Sequence, residues 1–211
     1  MKLTLRILLF IMVVLPSGKV FGQDAALKTN LLGWASTNVN LGIEFAAGRK
    51  STLQAFASVN PWEFGEDKHF RFWIVEPEYR YWFCGKFNGW FIGAHLLGGQ
   101  YNAKNMNFPL KTFIISTTVY DSDGTAVPGE GWPNLKGDNS GRHAEGWFIG
   151  GGITGGYQWI LSKHWNLEAS LGLGYAYSPM TFCGRCKRTI DKRKFHYLGP
   201  TKAAVSLMYV F

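Results

Sequence analysis

The sequence predicts an all-β chain, an eight-stranded antiparallel transmembrane β-barrel with long outer loops. Three observations carry that expectation. Apolar and small or polar residues alternate with period two along four extended segments. The connections between segments alternate short and long from the second onward, as in barrels that cross an outer membrane. The composition, with 16% aromatics, 26 glycines and 17% charged residues, suits neither a disordered chain nor a soluble helical one.

Residues 1–22 read as a signal peptide, ahead of a barrel domain over 23–211. Lys2 and Arg6 form a basic start, and Ile7 to Leu15 form an apolar core. That core is shorter than the roughly 17–25 residues a spanning helix needs, which weighs against an uncleaved anchor. Val20 and Gly22 are small enough to precede a cut before Gln23. No cysteine follows the core for lipid attachment, and no later apolar run is long enough for an inner-membrane helix.

The strands follow in order. A first, near 25–34, sets Leu27 and Leu31 against Lys28 and Asn30. A second alternates Val39, Leu41, Ile43 and Phe45 with Asn38, Asn40, Gly42 and Glu44. A third lies near 51–60. The fourth alternates Trp73, Val75, Pro77, Tyr79, Tyr81 and Phe83 with Phe72, Ile74, Glu76, Glu78, Arg80 and Trp82. Pro77 lacks a ladder donor, so a bulge is expected at Glu76–Glu78. A fifth, near 89–101, sets Trp90, Ile92, Ala94 and Leu96 opposite His95, and a glycine-rich sixth covers about 145–160. The seventh alternates Leu167, Ala169, Leu171, Leu173, Tyr175 and Tyr177 with Asn166, Glu168, Ser170, Gly172, Gly174 and Ala176. The eighth alternates Thr201, Ala203, Val205, Leu207, Tyr209 and Phe211 with Lys202, Ala204, Ser206, Met208 and Val210.

Gly48–Lys50, Cys84–Asn88 and Leu161–His164 become tight periplasmic turns, and 61–69, 102–144 and 179–195 become outer loops. Within the longest loop, Phe113 to Tyr120 alternates enough for a hairpin arm closed near Asp123-Gly124. Aromatics where strands meet turns (Trp82, Phe83, Trp90, Phe91, Trp159, Trp165, Tyr209 and Phe211) resemble an interfacial girdle. The terminal aromatic Phe211 on an amphipathic strand resembles the signal read by the barrel assembly machinery.

Solvent decides which face points where. Lys28, Glu44, Glu76, Glu78, Arg80, Glu168 and Lys202 share one face with Gly and Ala, while the other is nearly uncharged. In a membrane the charged face turns inward as a self-neutralising lumen network, with Lys28 and Lys202 brought near each other where first and last strands pair. A plug, rather than a pore, fits the narrow interior of an eight-stranded barrel. A soluble lipocalin-like barrel with the polar face outward is the alternative.

The charge is localised. Without residues 1–22, 19 basic residues stand against 14 acidic, or +5. Arg185, Lys187, Arg188, Lys192, Arg193 and Lys194 against Asp191 account for all of it. This outer-loop basic patch suits lipopolysaccharide phosphates or an acidic partner, or is simply a solvated loop. Nothing suggests nucleic acid. Cys183 and Cys186 form a C-x-x-C pair in the same loop, read as a stapling disulfide in an oxidising compartment; half a zinc site is the alternative and lacks two further ligands. Cys84 lies at the opposite end. Gly150 to Gly155 matches G-x-G-x-x-G but sits inside a strand pattern, and no other catalytic motif is found. No catalytic residue, metal or cofactor is expected; His95 and His196 are the only plausible bases, with no serine declared beside them.

The segments LKTNLLGWA (27–35), VNPW (59–62), PEYRYW (77–82), FNGWFIGAH (87–95), EGWFIGGGITGGYQWILSKHWNLEASLGLGYAY (145–177) and GPTKAAVSLMYVF (199–211) resemble a family of uncharacterised barrel proteins common in Bacteroidetes. The resemblance implies an outer-membrane barrel of the OmpA/OmpX type, often encoded near fimbrial genes. Some members carry a peptidoglycan-binding domain behind the barrel, which is not expected after Phe211. The expected role is structural or surface-binding, with the loops at 102–144 and 179–195 contacting lipopolysaccharide, membrane lipid or a fimbrial protein. The location expected is the outer membrane of a Gram-negative bacterium. A barrel enzyme acting on lipid A and a soluble periplasmic lipid carrier are the other functional readings.

Overall fold

The structure, a computed structural model, describes residues 24–62, 69–104, 113–120, 126–128, 143–183 and 189–211. It is all-β apart from one five-residue helix. The strands are β1 (Ala25–Asn30), β2 (Val39–Ala46), β3 (Ser51–Asn60), β4 (His69–Trp82), β5 (Gly89–Lys104), β6 (Ile114–Tyr120), β7 (Ala126–Pro128), β8 (His143–Ile160), β9 (Trp165–Cys183) and β10 (Thr189–Val210). Eight of them form an antiparallel ring in the order β1-β2-β3-β4-β5-β8-β9-β10, and β10 returns to β1. Apart from the β10–β1 closure, every neighbour in the ring is next in sequence except across the hairpin β6–β7, which adds to the upper edge of β10.

Period-two alternation decides the faces. Outside lie the large apolar residues, among them Leu171, Leu96 and Ile153, each more than 60% exposed. Inside lie Lys28, Glu44, Glu76, Glu78, Arg80, His95 and Glu168, each 5% exposed or less. The ring closes through Lys28↔Met208 and Asn30↔Ser206. The tight turns at 47–50, 83–89 and 161–164 share one end with residues 24 and 211: Ala46 N–H donates to Asp24 O and Phe211 N–H to Ala25 O. In the second turn Phe87 has φ 60 and Gly89 φ 76, a left-handed pair that reverses the chain. At this end Ala26, Trp82, Phe87, Phe91, Met208 and Val210 form a buried apolar plug inside the ring.

Four expectations are corrected. The first strand stops at Asn30, because the Asn30 side chain accepts the Leu32 N–H and caps helix α1 (Leu31–Ala35). Pro77 makes no bulge: β3 pairs straight through it, and the pairing with β5 lapses over Glu76 and Pro77, then resumes in register. The shifts lie instead along β10, between Thr189 and Asp191 and between Pro200 and Lys202 against β9, and between His196 and Tyr197 against β6. Trp82 and Phe91 belong to the plug, not to an outer girdle, since both share the parity of Arg80 and His95. The segment 179–195 is mostly strand, with β9 running to Cys183 and β10 starting at Thr189. The hairpin arm in the longest connection is present as β6 and β7, paired from Thr118↔Pro128 to Tyr120↔Ala126; its expected turn at Asp123-Gly124 lies outside the described residues.

Candidate functional site

Strands β1, β2, β4, β9 and β10 each contribute a charged side chain to one interior layer. The Arg80 guanidinium lies at its centre. Its Nη1 donates to Glu168 Oε2 at 2.7 Å and Glu44 Oε2 at 3.1 Å; its Nη2 donates to Glu168 Oε1 at 3.2 Å and Glu78 Oε2 at 3.0 Å. Glu168 is therefore gripped at both oxygens, the geometry in which arginine binds a carboxylate best. Lys28 Nζ joins the same acids, 2.9 Å from Glu44 and 3.0 Å from Glu168. Lys202 takes the other pair, bonding Glu76 and, at 2.5 Å, Glu78.

The layer thus brings together all seven residues expected in the lumen network, with four acids against three bases. Strand order alone set Lys28 and Lys202 near each other; in the described ion pairs they share no carboxylate. Register sets Lys28 against Met208, so each lysine serves its own carboxylates. Two glycines make the room. A Cβ on Gly93 would stand 2.4 Å from Glu78 Oε1, and one on Gly172 would stand 2.9 Å from Lys202 Cβ and 3.0 Å from His95 Cε1.

Neutral neighbours extend the network. Thr52 Oγ1 donates to Glu44 Oε1 at 2.6 Å and accepts from Trp82 Nε1 at 2.9 Å, tying the charges to the plug. The Arg80 guanidinium also rests over the Phe91 ring, 4.4 Å from its centroid. His95 lies between Thr154 Oγ1 at 2.7 Å and Thr201 Oγ1 at 2.9 Å. Sequence reasoning named His95 only as an isolated base and passed over both threonines. His196 is elsewhere, on the tall outer part of β10, with Nδ1 at 2.5 Å from the Tyr175 hydroxyl. The arrangement pairs the buried charges across neighbouring strands; the hydroxyls beside the histidines are those of Thr154 and Thr201 for His95 and of Tyr175 for His196.

Above the charged layer the interior changes character. The even positions of β4 that carry Glu76, Glu78 and Arg80 carry Phe70, Phe72 and Ile74 one turn of pleat further out. With Leu97, Tyr101, Phe148, Phe195 and Tyr197 they line a cavity of about 340 Å³. This parity was readable in the sequence, but the charged residues drew the inference and the aromatic continuation was missed. Above it a wider vestibule of about 830 Å³ shares Phe72 and Tyr101 and is lined by Arg71, Glu145, Lys192, Arg193 and Lys194. Lys192, Arg193 and Lys194 of the expected basic patch therefore sit on β10 at the rim of this space, with Arg193, opposite the buried Met180, on the inward parity, while Arg185, Lys187 and Arg188 lie outside the described residues. Cys186 also lies outside them; Cys183 ends β9, and Cys84 is exposed in the turn at the opposite end.

Among the described residues no group of three or more His, Cys, Asp or Glu is placed to hold a metal ion. No helix among them is long and apolar enough to cross a membrane, which says nothing of strands. A family model described as a protein of unknown function (DUF3575) matches residues 7–211. No curated protein matches the chain.

Proposed function

The chain belongs to the DUF3575 family, and we propose that it is a small outer-membrane β-barrel of the OmpA/OmpX type with a structural or surface-binding role. One observation carries the reading: the ring is inverted relative to a water-soluble protein. Buried Arg80, Glu44 and Glu168 fill its inside, while Leu41, Leu53, Ile92, Leu96, Ile153, Leu171 and Leu173 project outward from successive strands. Soluble monomers rarely expose apolar patches beyond a few hundred Å², and in lipid a closed sheet meets the need for every strand to have a partner. Trp34, Trp62, Trp73 and Trp147 toward one end and Trp90, Trp159 and Trp165 toward the other are each 45% exposed or more, which supports two interfacial girdles.

In this reading residues 1–22 direct export from the cytoplasm of a Gram-negative cell, and the short turns face the periplasm. The paired charges and the aromatic plug close the interior, so the role is not conduction. The long connections and the basic strand ends Lys192–Lys194 meet lipopolysaccharide phosphates or a surface protein, including a fimbrial one. The deciding experiment is gel mobility in SDS of the membrane-extracted protein, unboiled against boiled. A shift on boiling is expected, since folded membrane barrels resist SDS at room temperature. Identical mobility, with the protein in the soluble periplasmic fraction, replaces this reading with a lipid carrier.

A further inference from the structure

The chamber above the charged layer is built differently from the rest of the interior. Phe70, Phe72, Leu97, Phe148 and Phe195 supply its walls. Its polar groups are turned to one another: Tyr101 Oη lies 3.0 Å from Ser178 Oγ, and Tyr197 Oη donates to Pro200 O at 2.6 Å. A water there would find few partners, and apolar cavities of this kind favour apolar guests. The volume, about 340 Å³, falls at the lower end of the roughly 300–1,000 Å³ typical of small-molecule sites. The chamber floor is the His95–Thr201 pair and, beyond it, the Lys202–Glu76–Glu78 cluster, so a guest stops there.

Charge lies at the other end. The vestibule, which shares Phe72 and Tyr101 with the chamber, is bordered by Arg71, Lys192, Arg193, Lys194 and Glu145, and Arg193 has the inward parity. An apolar slot beneath a cationic mouth matches an anionic head on an alkyl chain. One stretch of the wall has an unpaired strand edge, with Phe113 packed on Gly199 and the Asn30 side chain bonded to Ala203 O and the Val205 N–H. β10 pairs with β6 from Lys192 to Tyr197 and with β1 only from Ser206 to Val210. Between them the edge of β10 near Pro200 and Thr201, which line the chamber, pairs with neither strand. Leu198 beside it faces outward and is 55% exposed.

We infer that this chamber is a binding site for the alkyl chain of a single-chain anionic amphiphile, a fatty acid being the simplest, with its head group held at the rim beside Arg193. The site is read from the interior alone and does not rest on the membrane reading above.

The test uses the full protein in phosphatidylcholine vesicles with two photoreactive probes. One is a fatty acid with a mid-chain diazirine; the other is a two-chain phospholipid bearing the same chain. Labelled peptides are then mapped. Both probes should label the outward Ile153 and Leu173, and the fatty acid should also label Phe72, Leu97 or Phe148. Excess unlabelled hexadecanoate should abolish the interior labels and spare the outward ones. Ala176→Phe, which fills the chamber, should do the same. Its unboiled gel mobility shows whether it has folded, and the competition result stands without it. Interior labelling by the phospholipid probe as well would keep the alkyl-chain site and assign its source to the bilayer. Outward labelling with no interior labelling by either probe overturns the proposal and leaves the membrane reading intact. Absence of outward labelling overturns the membrane reading, and interior labelling by the fatty acid would then still support the site.

Discussion

Removing the Arg80 guanidinium would leave Glu44, Glu78 and Glu168 facing one another with only the two lysines to balance them. Breaking a buried ionic network from one side costs far more than the network contributes while whole, because the partners remain desolvated. Arg80→Met should therefore destabilise the folded ring by about 3–5 kcal/mol, read as a lower urea midpoint for loss of the unboiled gel form. Arg80→Met with Glu168→Gln should recover part of that loss, since it removes one of the stranded charges. Arg80→Lys should fall between, as lysine cannot grip both oxygens of Glu168. Equal midpoints for the single and double variants would show that packing around Phe91, and not charge balance, is what Arg80 supplies. That these residues share a face was legible from spacing alone, since Glu76, Glu78 and Arg80 are two apart on an extended chain. Who pairs with whom was not. Lys28 reaches Glu44 and Glu168 because β1 meets β10 at Met208, and that offset is a property of ring closure that alternation does not encode.

Strands β5 and β8 run far beyond the ring's low side, yet they stay paired to their ends, with Lys104 opposite His143. Of the described residues between those two, β6 and β7 pair with the ring only through the upper part of β10. A two-residue Asn-Gly link from Lys104 to His143 closes such a pair as a type I′ turn. The shortened chain should keep the boiling-dependent gel shift, because β1–β5 and β8–β10 lose no pairing except that to β6. Loss of the shifted form would show that the long connection is needed to fold the ring. Strand existence was legible throughout, since period-two runs such as 72–83 and 166–177 admit no helical reading. Strand ends were not, where a side chain intervened. Asn30 turns the chain into α1 by capping it, and the alternation Leu27, Thr29, Leu31 runs straight across that boundary. Pro77 misled in the opposite direction. A missing donor costs one ladder bond toward β5, and the intact pairing with β3 holds the strand straight.

At the scale of the whole molecule the ring has a low side, β1 to β3, of six to ten residues per strand, and a high side, β8 to β10, of 18 to 22. The tight turns all lie at one end, with Cys84 exposed among them. The basic residues Lys192–Lys194 and the exposed Pro128 of β7 lie toward the other. In a membrane this asymmetry fixes an orientation, because outer-membrane barrels keep short turns inside and long connections outside. Impermeant chemistry can read it. In a Cys183→Ser, Cys186→Ser background, Cys84 should react with a polyethylene-glycol maleimide too large for porins only after the outer membrane is permeabilised. With Cys84→Ser and Pro128→Cys in that background, the chain should react on intact cells. The opposite pattern would mean that the ring sits inverted, with its basic mouth toward the periplasm, and lipopolysaccharide would cease to be a candidate partner. Reaction of both only after permeabilisation, with the chain recovered from the soluble fraction, would remove the membrane altogether. The outward leucines would then need a protein partner to cover them, because a face of that size does not stay bare in water.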